Sequence, residues 1–375
     1  MITGISINNF KSLKHIDNLQ VNNLTIFSGL NGLGKSSFLQ ILLLLRQSYK
    51  EDGFNKGLFL KDSEGVELGT VRDIFTQNSD INELMSFTLE FDYEKEIILT
   101  FQAKNNLDKD VFPLLNQDIS NVQLSEEPLF NNNFQYLSAN RINPCLSYDT
   151  SSYFINDLNS LGKEGEYAVH YLAVNQDKVL KNIKLLHPKA KSDTFIDNVN
   201  AWLSEISPGV KALATYIPEL ETAKLTYQFE TKDDYTNDFK PTHVGFGLTY
   251  VLPIIISLLK AEERNIVIIE NPESHLHPSG QSKIGHLCAL AANSGIQVIL
   301  ESHSDHVING LRIAVKNKKI DNENVSVYFL NRNNDNNEHS TNINEIIIDE
   351  HGKMSDWPKG FMDEYDNQLD DLISN

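Results

Sequence analysis

The 375-residue sequence predicts an α/β fold, with a mixed but largely parallel sheet, an antiparallel β lobe and a helical insertion. Three observations predict it. A glycine-rich loop, residues 29–36, stands between the apolar run Leu24–Phe27 and a helical pattern from Phe38 to Leu45. The run Ile266–Ile269 is apolar, β-branched and followed by an acid, which suits a buried parallel strand. Strand and helix patterns alternate over residues 244–330, which is typical of a parallel α/β layer.

Composition and charge limit the functions that this protein can have. The chain carries 51 acidic and 32 basic residues, which gives a formal net charge of −19. This excess of negative charge works against a broad nucleic-acid-binding face, although a local basic groove is compatible with it. The two cysteines, Cys145 and Cys288, lie far apart and in no metal-ligand spacing, which suits a reducing cytosol.

The apolar runs are too short for a membrane span. The longest candidates, Tyr250–Leu259 and Ile266–Ile269, are interrupted by Pro253 or bounded by charge. The sequence starts with the strand-like run Ile2–Ile7 rather than with the features of a signal peptide. We therefore expect a soluble, cytoplasmic protein without membrane contacts.

Residues 29–36, Gly-Leu-Asn-Gly-Leu-Gly-Lys-Ser, have the P-loop pattern in the strand–loop–helix context that it requires. Glycines let backbone N–H groups curl around phosphate oxygens, and the helix start adds partial positive charge. Lys35 is expected to reach the β- and γ-phosphates, and the Ser36 hydroxyl to ligate Mg²⁺. The pattern thus predicts ATP and Mg²⁺ as ligands. The predicted nucleotide-binding residues of this loop are Gly29, Asn31, Gly32, Gly34, Lys35, Ser36 and Ser37.

A second set of site residues follows the predicted strand that ends at Glu270. This strand has the Walker B pattern, with Glu270 in the place of the more common Asp as the acid that holds Mg²⁺. The next carboxylate, Glu273, is a candidate for polarising the attacking water. A core strand that merely ends in an acid is the alternative for Glu270.

Three histidines lie near these predicted strand ends. His275 and His277 could belong to a metal site, but no third ligand is spaced to join them, which favours a loop near the nucleotide or a partner subunit. His303 comes directly after the apolar strand Ile296–Leu300 and its Glu-Ser extension. We predict that it contacts the γ-phosphate as a sensor, whereas an ordinary structural histidine is the alternative.

A second anion-binding tip is predicted at residues 244–250. Two glycines, Gly245 and Gly247, and the hydroxyl residue Thr249 stand at the start of an apolar helical pattern. Helix starts of this kind can bind anions, although the same pattern also suits a plain turn and cap.

The remaining patterns predict a three-part chain. Residues 1–103 form an N-terminal ATPase lobe with a β subdomain, which includes strand Ile2–Phe10 and a hairpin of Phe87–Phe91 with Ile97–Phe101. Residues 104–240 form an insertion that is loop-rich to about residue 133 and mostly helical from Glu164 to about Leu220. Residues 241–375 form the C-terminal lobe, with a polar surface turn at residues 331–340.

In their order along the chain, these motifs resemble the ATP-binding-cassette ATPase heads of the structural-maintenance and recombination-repair type. The run of residues 269–278, Ile-Glu-Asn-Pro-Glu-Ser-His-Leu-His-Pro, is similar to that of overcoming-lysogenization-defect ATPases of the AAA family. Tyr136–Arg141, Gly165–Ala168 and Trp357–Glu364 resemble a bacterial subfamily with a C-terminal domain of unassigned role. The resemblance covers nearly the whole chain.

The resemblance implies a homodimer in which each ATP lies between two heads, with higher oligomers also possible. One protomer provides the P-loop, Walker B acid and switch histidine, and the other provides the tip. Gly245, Gly247 and Thr249 would then touch the γ-phosphate bound by the opposite subunit. ATP would hold the dimer together, and hydrolysis would release it.

Two departures from the family pattern affect the chemistry. The tip reads Gly-Phe-Gly-Leu-Thr rather than Leu-Ser-Gly-Gly, and Asn271 stands where transporter-like heads place a general base. Since an amide cannot accept a proton, either Glu273 takes this role or turnover is slow. The resemblance also suggests Gln77 as a glutamine that contacts Mg²⁺ or water, and Arg141 as a charge near the phosphates.

By resemblance, the predicted function is an ATP-gated sensor or scaffold in bacterial anti-phage defence, as in Septu and retron-associated ATPases. The effector would be a separate HNH nuclease or retron complex, because no Asp-x-Asp pair follows a strand late in the chain. A DNA-repair ATPase that clamps DNA is one alternative, and a scaffold that binds ATP without turnover is another. A lysine cluster would support the clamp, although a solvated face explains it equally well. Its members are Lys178, Lys181, Lys184, Lys189 and Lys191.

Overall fold

The structure is a computed structural model that describes residues 1–62, 65–120, 123–332, 340–358 and 360–373. By its internal contacts the chain divides into two compact units. Unit 1 comprises residues 1–131, 325–349 and 353–375, and unit 2 comprises residues 132–324 and 350–352. The three-part division at residues 103 and 240 stays a prediction.

The strands and helices are numbered in chain order. The strands are β1 (Ile2–Phe10), β2 (Leu13–Gln20), β3 (Leu24–Gly29), β4 (Leu58–Phe59), β5 (Leu84–Phe91), β6 (Lys95–Gln102), β7 (Val111–Phe112), β8 (Leu114–Ser120), β9 (Phe134–Leu137), β10 (Tyr148–Asp149), β11 (Val210–Ile217), β12 (Thr222–Phe229), β13 (Ile266–Glu270), β14 (Gln297–Glu301), β15 (Val325–Arg332) and β16 (Thr341–Ile346). The α-helices are α1 (Lys35–Asp52), α2 (Val71–Ile74), α3 (Ala168–Asn175), α4 (Phe195–Ile206), α5 (Phe246–Lys260), α6 (Pro278–Asn293), α7 (Asp305–Lys316) and α8 (Glu364–Ile373). Within the described ranges, no helix has both the length and the apolar character that crossing a lipid bilayer requires.

Unit 1 contains an antiparallel sheet in the order β2–β1–β5–β6–β8. The predicted β5–β6 hairpin is confirmed, since the two strands pair antiparallel and most of their apolar residues lie on the buried face. The loop-rich expectation for residues 104–133 is wrong at β8, which pairs with β6. Its polar, exposed residues Asn116, Gln117 and Asp118 hide the strand from pattern analysis, because an edge strand needs little burial.

The second sheet of unit 1 carries the strand that enters the P-loop. Strand β3 pairs in parallel with β15, from Leu24 opposite Val325 to Gly29 opposite Leu330. Strand β16 then pairs antiparallel with β15. Helix α1 buries Phe38, Leu39 and other apolar residues, as the sequence pattern predicts. The predicted surface turn at residues 331–340 falls mostly outside the described residues.

Unit 2 contains parallel strands in the order β14–β13–β9. Because β13 and β14 pair in register, Glu270 lies directly opposite Glu301 at their carboxyl ends. Helices α5, α6 and α7 alternate with these strands along the chain, which confirms the predicted α/β layer. The carboxyl ends of these strands are where open α/β sheets usually bind ligands.

An antiparallel sheet of β10–β12–β11 completes unit 2. Helices α3 and α4 confirm part of the helical expectation for residues 164–220. The expectation is wrong at β11, which pairs along its whole length with β12. Ala212 and Ala214 of this strand are buried. Alanine favours helices, so the composition predicts a helix where the sheet imposes a strand.

Candidate nucleotide-binding site

The P-loop connects the end of β3 to the start of α1. Gly29, Gly32 and Gly34 have φ angles of 139°, 76° and 89°, a region that side-chain-bearing residues rarely adopt. Gly34 is the residue directly before α1, and its carbonyl accepts a hydrogen bond from the Ser37 N–H at 3.0 Å. The glycines therefore set the path of the loop.

The surroundings of the three glycines differ. A Cβ on Gly29 would lie 2.2 Å from the Leu330 carbonyl oxygen, and one on Gly34 would lie 2.8 Å from the Ser12 hydroxyl. A Cβ on Gly32 would meet no atom within 4 Å. Gly29 and Gly34 are thus packed against other residues of unit 1, whereas Gly32, in the middle of the loop, faces open space.

The loop folds around its lysine. Lys35 is 3 % exposed, and its Nζ donates to the carbonyl oxygens of Gly29 at 2.9 Å and Leu30 at 2.6 Å. A buried ammonium at a helix start is a strong anion-binding arrangement. Ser36 is half-buried in the first turn of α1, Ser37 is buried, and Asn31 is exposed on the loop. These residues fit the phosphates of a nucleotide.

Two hydroxyl residues outside the motif support this loop. The Thr341 hydroxyl, at the start of β16, donates to the Leu33 carbonyl at 3.0 Å, and it lies 2.8 Å from the Ser12 hydroxyl, which can donate to it. Sequence analysis missed Ser12 and Thr341 because neither belongs to a motif. Gln77 is exposed in a turn after α2, in unit 1, and its contact with Mg²⁺ stays a prediction.

In unit 2, the Glu270 carboxylate is fixed by two donors. Its Oε1 accepts from the Tyr136 hydroxyl at 3.0 Å, and its Oε2 accepts from the Ala139 N–H at 3.1 Å. Burial and the charge of Glu270 raise the pKa of Tyr136 well above its usual value. Tyr136 therefore remains a protonated donor at physiological pH, and it holds the orientation of the acid.

Arg141 binds the backbone around this acid. Its side chain is 1 % exposed, and it donates to the backbone carbonyls of Glu270 at 2.6 Å, Asn271 at 2.7 Å and Ser138 at 2.8 Å. Burial lowers its pKa to about 10, so the guanidinium stays charged at neutral pH. Arg141 thus clamps the backbone at the end of β13, which does not support the expected contact with phosphates.

Glu273 holds the segment after β14. One oxygen accepts from the Ser302 hydroxyl at 2.8 Å, and the other accepts from the His303 N–H at 2.8 Å. The His303 side chain is exposed, as its predicted role as a sensor requires. A carboxylate that accepts one bond at each oxygen is a good anchor, and each oxygen keeps a second lone pair that can accept a proton.

The predicted tip is the start of α5. Gly245 directly precedes the helix and is exposed, and a Cβ on Gly247 would lie 2.3 Å from the His275 carbonyl oxygen. Thr249 is fully buried, and its hydroxyl lies 3.3 Å from that of Tyr227. Its contact with a second protomer stays a prediction, and the exposed groups of the tip belong to Gly245 and Phe246.

The two loop histidines have local structural partners. The His275 ring packs against Phe246 and Tyr250, with centroid distances of 4.6 and 4.8 Å. The His277 Nδ1 accepts from the Ser279 N–H at 3.3 Å and caps α6. In the described part of the chain, no group of three or more His, Cys, Asp or Glu side chains is placed to hold a metal ion.

Comparison with protein families gives two matches. The profile described as "AAA domain, putative AbiEii toxin, Type IV TA system" matches residues 24–309. The profile described as "Protein of unknown function (DUF3696)" matches residues 320–372. No curated protein matches the sequence significantly.

Comparison with solved structures identifies the fold. A crystal structure of an Smc head bound to the C-winged-helix domain of ScpA is 11% identical, with a TM-score of 0.52, over 92% of this chain and 98% of that chain. An Smc head with an extended coiled coil, bound to the C-terminal domain of ScpA and derived from Pyrococcus furiosus, is 12% identical, with a TM-score of 0.50 and 99% coverage of both chains. The predicted P-loop, ABC-type head fold is confirmed, as is the C-terminal segment of unassigned role. The chain therefore belongs to the AAA ATPase family whose profile spans residues 24–309, and it has the fold of an Smc ATPase head.

Proposed function

We propose that this protein binds ATP with Mg²⁺, hydrolyses it slowly and pairs head-to-head with a second copy around the nucleotide. In this state it acts as a sensor or scaffold for a separate effector. The observation that carries the proposal is the P-loop, where the buried Lys35 ammonium lies inside a loop of positive-φ glycines. Membership of an AAA family supports ATP as the nucleotide.

In this proposal the phosphates replace the loop carbonyls as partners of Lys35. The Nζ now donates to Gly29 and Leu30, and the open space at Gly32 leaves room for an anion. Ser36, Gln77 and Glu270 would ligate Mg²⁺, which neutralises phosphate charge during transfer to water. Tyr136 and the Ala139 N–H would keep the Glu270 carboxylate oriented toward the ion.

Slow turnover follows from the groups available as a base. Asn271 cannot accept a proton, and both oxygens of Glu273 already accept hydrogen bonds. Each oxygen keeps a second lone pair for the attacking water, but the two bonds fix the orientation of the carboxylate, so only a water in the matching position would be activated. The same bonds connect Glu273 to the backbone of His303, so a change at the γ-phosphate that His303 senses would reach the base. Such a coupled, slow site suits a switch.

The partner is proposed from the tip and from the similar structures. Gly245 and Gly247 of one copy would meet the triphosphate of the other, so that each site is completed by a second protomer. The two Smc heads named above were solved with domains of ScpA, a separate protein. For this chain we propose a cytoplasmic role in anti-phage defence, with an HNH nuclease or a retron complex as the effector.

The alternative of a DNA clamp receives less support from the structure. Lys181 pairs with Glu262 at 2.5 Å and Lys189 with Glu205 at 2.6 Å, so two charges of the lysine cluster are neutralised locally. Lys191 donates to the Tyr235 hydroxyl at 3.3 Å. Any contact with nucleic acid is therefore proposed to be indirect, through the effector.

The test is the binding of a fluorescent ATP analogue to Lys35→Ala. We expect affinity to fall by about a hundredfold or more, because the buried ammonium provides the main charge on the phosphates. Lys56→Ala is the matched control, since Lys56 is exposed in the turn after α1 and should leave affinity unchanged. Equal affinity of Lys35→Ala and wild type would refute the proposal. Tight binding by the wild type without phosphate release would instead favour the scaffold that never turns over.

A further inference from the structure

Tyr250 connects the start of α5 to the Walker B acid. It lies three residues after Gly247, on the same face of the 15-residue helix, and is 7% exposed. Its ring is 4.8 Å from the His275 ring and 4.5 Å from the guanidinium carbon of Arg141. The predicted function assigns no role to Tyr250.

The Tyr250 hydroxyl makes two hydrogen bonds to one short segment. It donates to the Ala139 carbonyl, and it accepts from the Arg141 N–H at 3.3 Å. Both residues also hold Glu270. The Ala139 N–H donates to the Glu270 carboxylate, and the Arg141 guanidinium donates to the Glu270 carbonyl.

These contacts form a continuous relay within unit 2. The hydroxyl of Tyr250 fixes residues 139–141, and residues 139–141 fix both the side chain and the backbone of Glu270. The first turn of α5 is itself held, because Gly247 packs against the His275 carbonyl and Phe246 against the His275 ring. Gly247 and Tyr250 lie within one helical turn and before Pro253, so a shift at the helix start would displace Tyr250 by a similar distance.

We propose that Tyr250 is a positioning residue that couples the docking of α5 on a second copy to the orientation of the Glu270 carboxylate. This inference rests on the proposed function and deepens it by assigning its regulation. When the tip engages a neighbouring nucleotide, the relay sets the acid in the geometry for turnover. Without engagement, the chain holds ATP and hydrolyses it more slowly.

Removal of the Tyr250 hydroxyl distinguishes the positioning role from packing of the ring. Tyr250→Phe keeps the ring and its contacts with Arg141, Phe246 and His275, and it removes only the two hydrogen bonds. Tyr328→Phe is the matched control, since Tyr328 is 3% exposed and its hydroxyl donates to the Gln20 carbonyl at 2.8 Å in unit 1. Each variant loses a buried tyrosine hydroxyl bound to a backbone carbonyl, but only Tyr250 belongs to the relay.

The experiment measures ATP affinity, KM, kcat and the dependence of kcat on protein concentration. For wild type and Tyr328→Phe we expect turnover per chain to rise with concentration as dimers form. For Tyr250→Phe we expect affinity and dimerisation within about twofold of wild type, and kcat lower by about tenfold or more, because a displaced catalytic group costs rate rather than binding.

Two results would overturn the inference. One is a Tyr250→Phe variant with the kcat and concentration dependence of wild type. The other is an equal loss of kcat in Tyr250→Phe and Tyr328→Phe, which would show that stability rather than positioning is affected. Failure of the proposed function looks different, because then the wild-type protein itself neither binds nor hydrolyses ATP.

Discussion

The P-loop of unit 1 and the acidic strand ends of unit 2 are built in different ways. The P-loop depends on backbone geometry within eight consecutive residues, and its lysine bonds to carbonyls of its own loop. The acid Glu270 depends on side chains and backbone from other segments, including Tyr136 and Arg141, which lie more than a hundred residues earlier.

This difference indicates which substitutions should damage each of the two regions. A loop that depends on glycine φ angles is disrupted when a glycine gains a side chain, because residues with a Cβ rarely adopt these φ angles. A network of side chains fails when one donor is lost, and the remaining partners are left unpaired in a buried place. The first kind of damage removes binding, whereas the second kind mainly removes turnover.

The largest effect is expected for Gly29→Ala. Its φ is 139°, and the added Cβ would lie 2.2 Å from a carbonyl oxygen, so the change should reduce the free energy of unfolding by about 3 kcal/mol and abolish ATP binding. Gly32→Ala is the control, because its Cβ enters open space and only the φ of 76° costs about 1 kcal/mol. Urea denaturation and nucleotide titration measure both, and equal losses in the two variants would contradict a packed loop end.

A smaller effect is expected at the proposed base. If Glu273 accepts the proton of the attacking water, Glu273→Gln should retain ATP and lose about a hundredfold in kcat. Ser302→Ala removes one bond to the same carboxylate and should change kcat by less than about threefold, since the acid itself remains. Single-turnover hydrolysis measures the comparison. Similar losses in both variants would make Glu273 only the anchor of the His303 segment.

Arg141→Lys tests the network behind Glu270. A lysine cannot reach three carbonyls at once, so we expect kcat to fall about tenfold with little change in ATP affinity. Arg312→Lys is the control, because Arg312 donates to the Gly352 carbonyl and the Asn309 side chain elsewhere in unit 2. Steady-state kinetics with both variants would show whether the clamp at β13 is specific, and an unchanged kcat in Arg141→Lys would argue against it.

The smallest effect is expected for the ion pairs that Glu205 forms with Lys189 and Lys283, which do not belong to the candidate site. Hydrogen bonds from Lys189 and Lys283 lower the pKa of Glu205 to about 2 from 4.5, so this link stabilises the fold above pH 4.5 and is lost as pH falls toward 2. The Lys189 side chain is mostly exposed and that of Lys283 is partly exposed, which limits the contribution to about 1 kcal/mol. Thermal unfolding between pH 5 and pH 3 should show a shallower decline for Glu205→Gln, and parallel curves would show that the link contributes nothing.

The sequence predicts those structural elements that are determined by residues within the element itself. Glycine spacing at residues 29–34 indicates the P-loop, and the β-branched run before Glu270 indicates a buried strand, because each pattern reflects its own backbone. The hairpin of β5 and β6 is visible in its alternation for the same reason.

The partners of the site are not visible in this way. Tyr136, Tyr250 and Ser302 acquire their roles from contacts across long stretches of chain, and no spacing rule relates them to Glu270 or Glu273. Arg141 shows the limit most clearly. Its charge suggests phosphate, but burial turns it toward backbone carbonyls. Polar β8 and alanine-containing β11 were missed because their neighbours in the sheet, not their own residues, make them strands.

The pairing of β3 with β15 has a practical consequence for anyone who trims this gene for expression. The AAA profile ends at residue 309 and the DUF3696 profile begins at residue 320, yet the partner strand of the P-loop and the threonine that holds Leu33 come from the later stretch. A fragment that stops at the border between the two profiles would lack both the strand that pairs with β3 and the hydroxyl that binds the Leu33 carbonyl. Two residues of the segment that the second profile covers, Leu330 and Thr341, thus contact the nucleotide-binding loop directly.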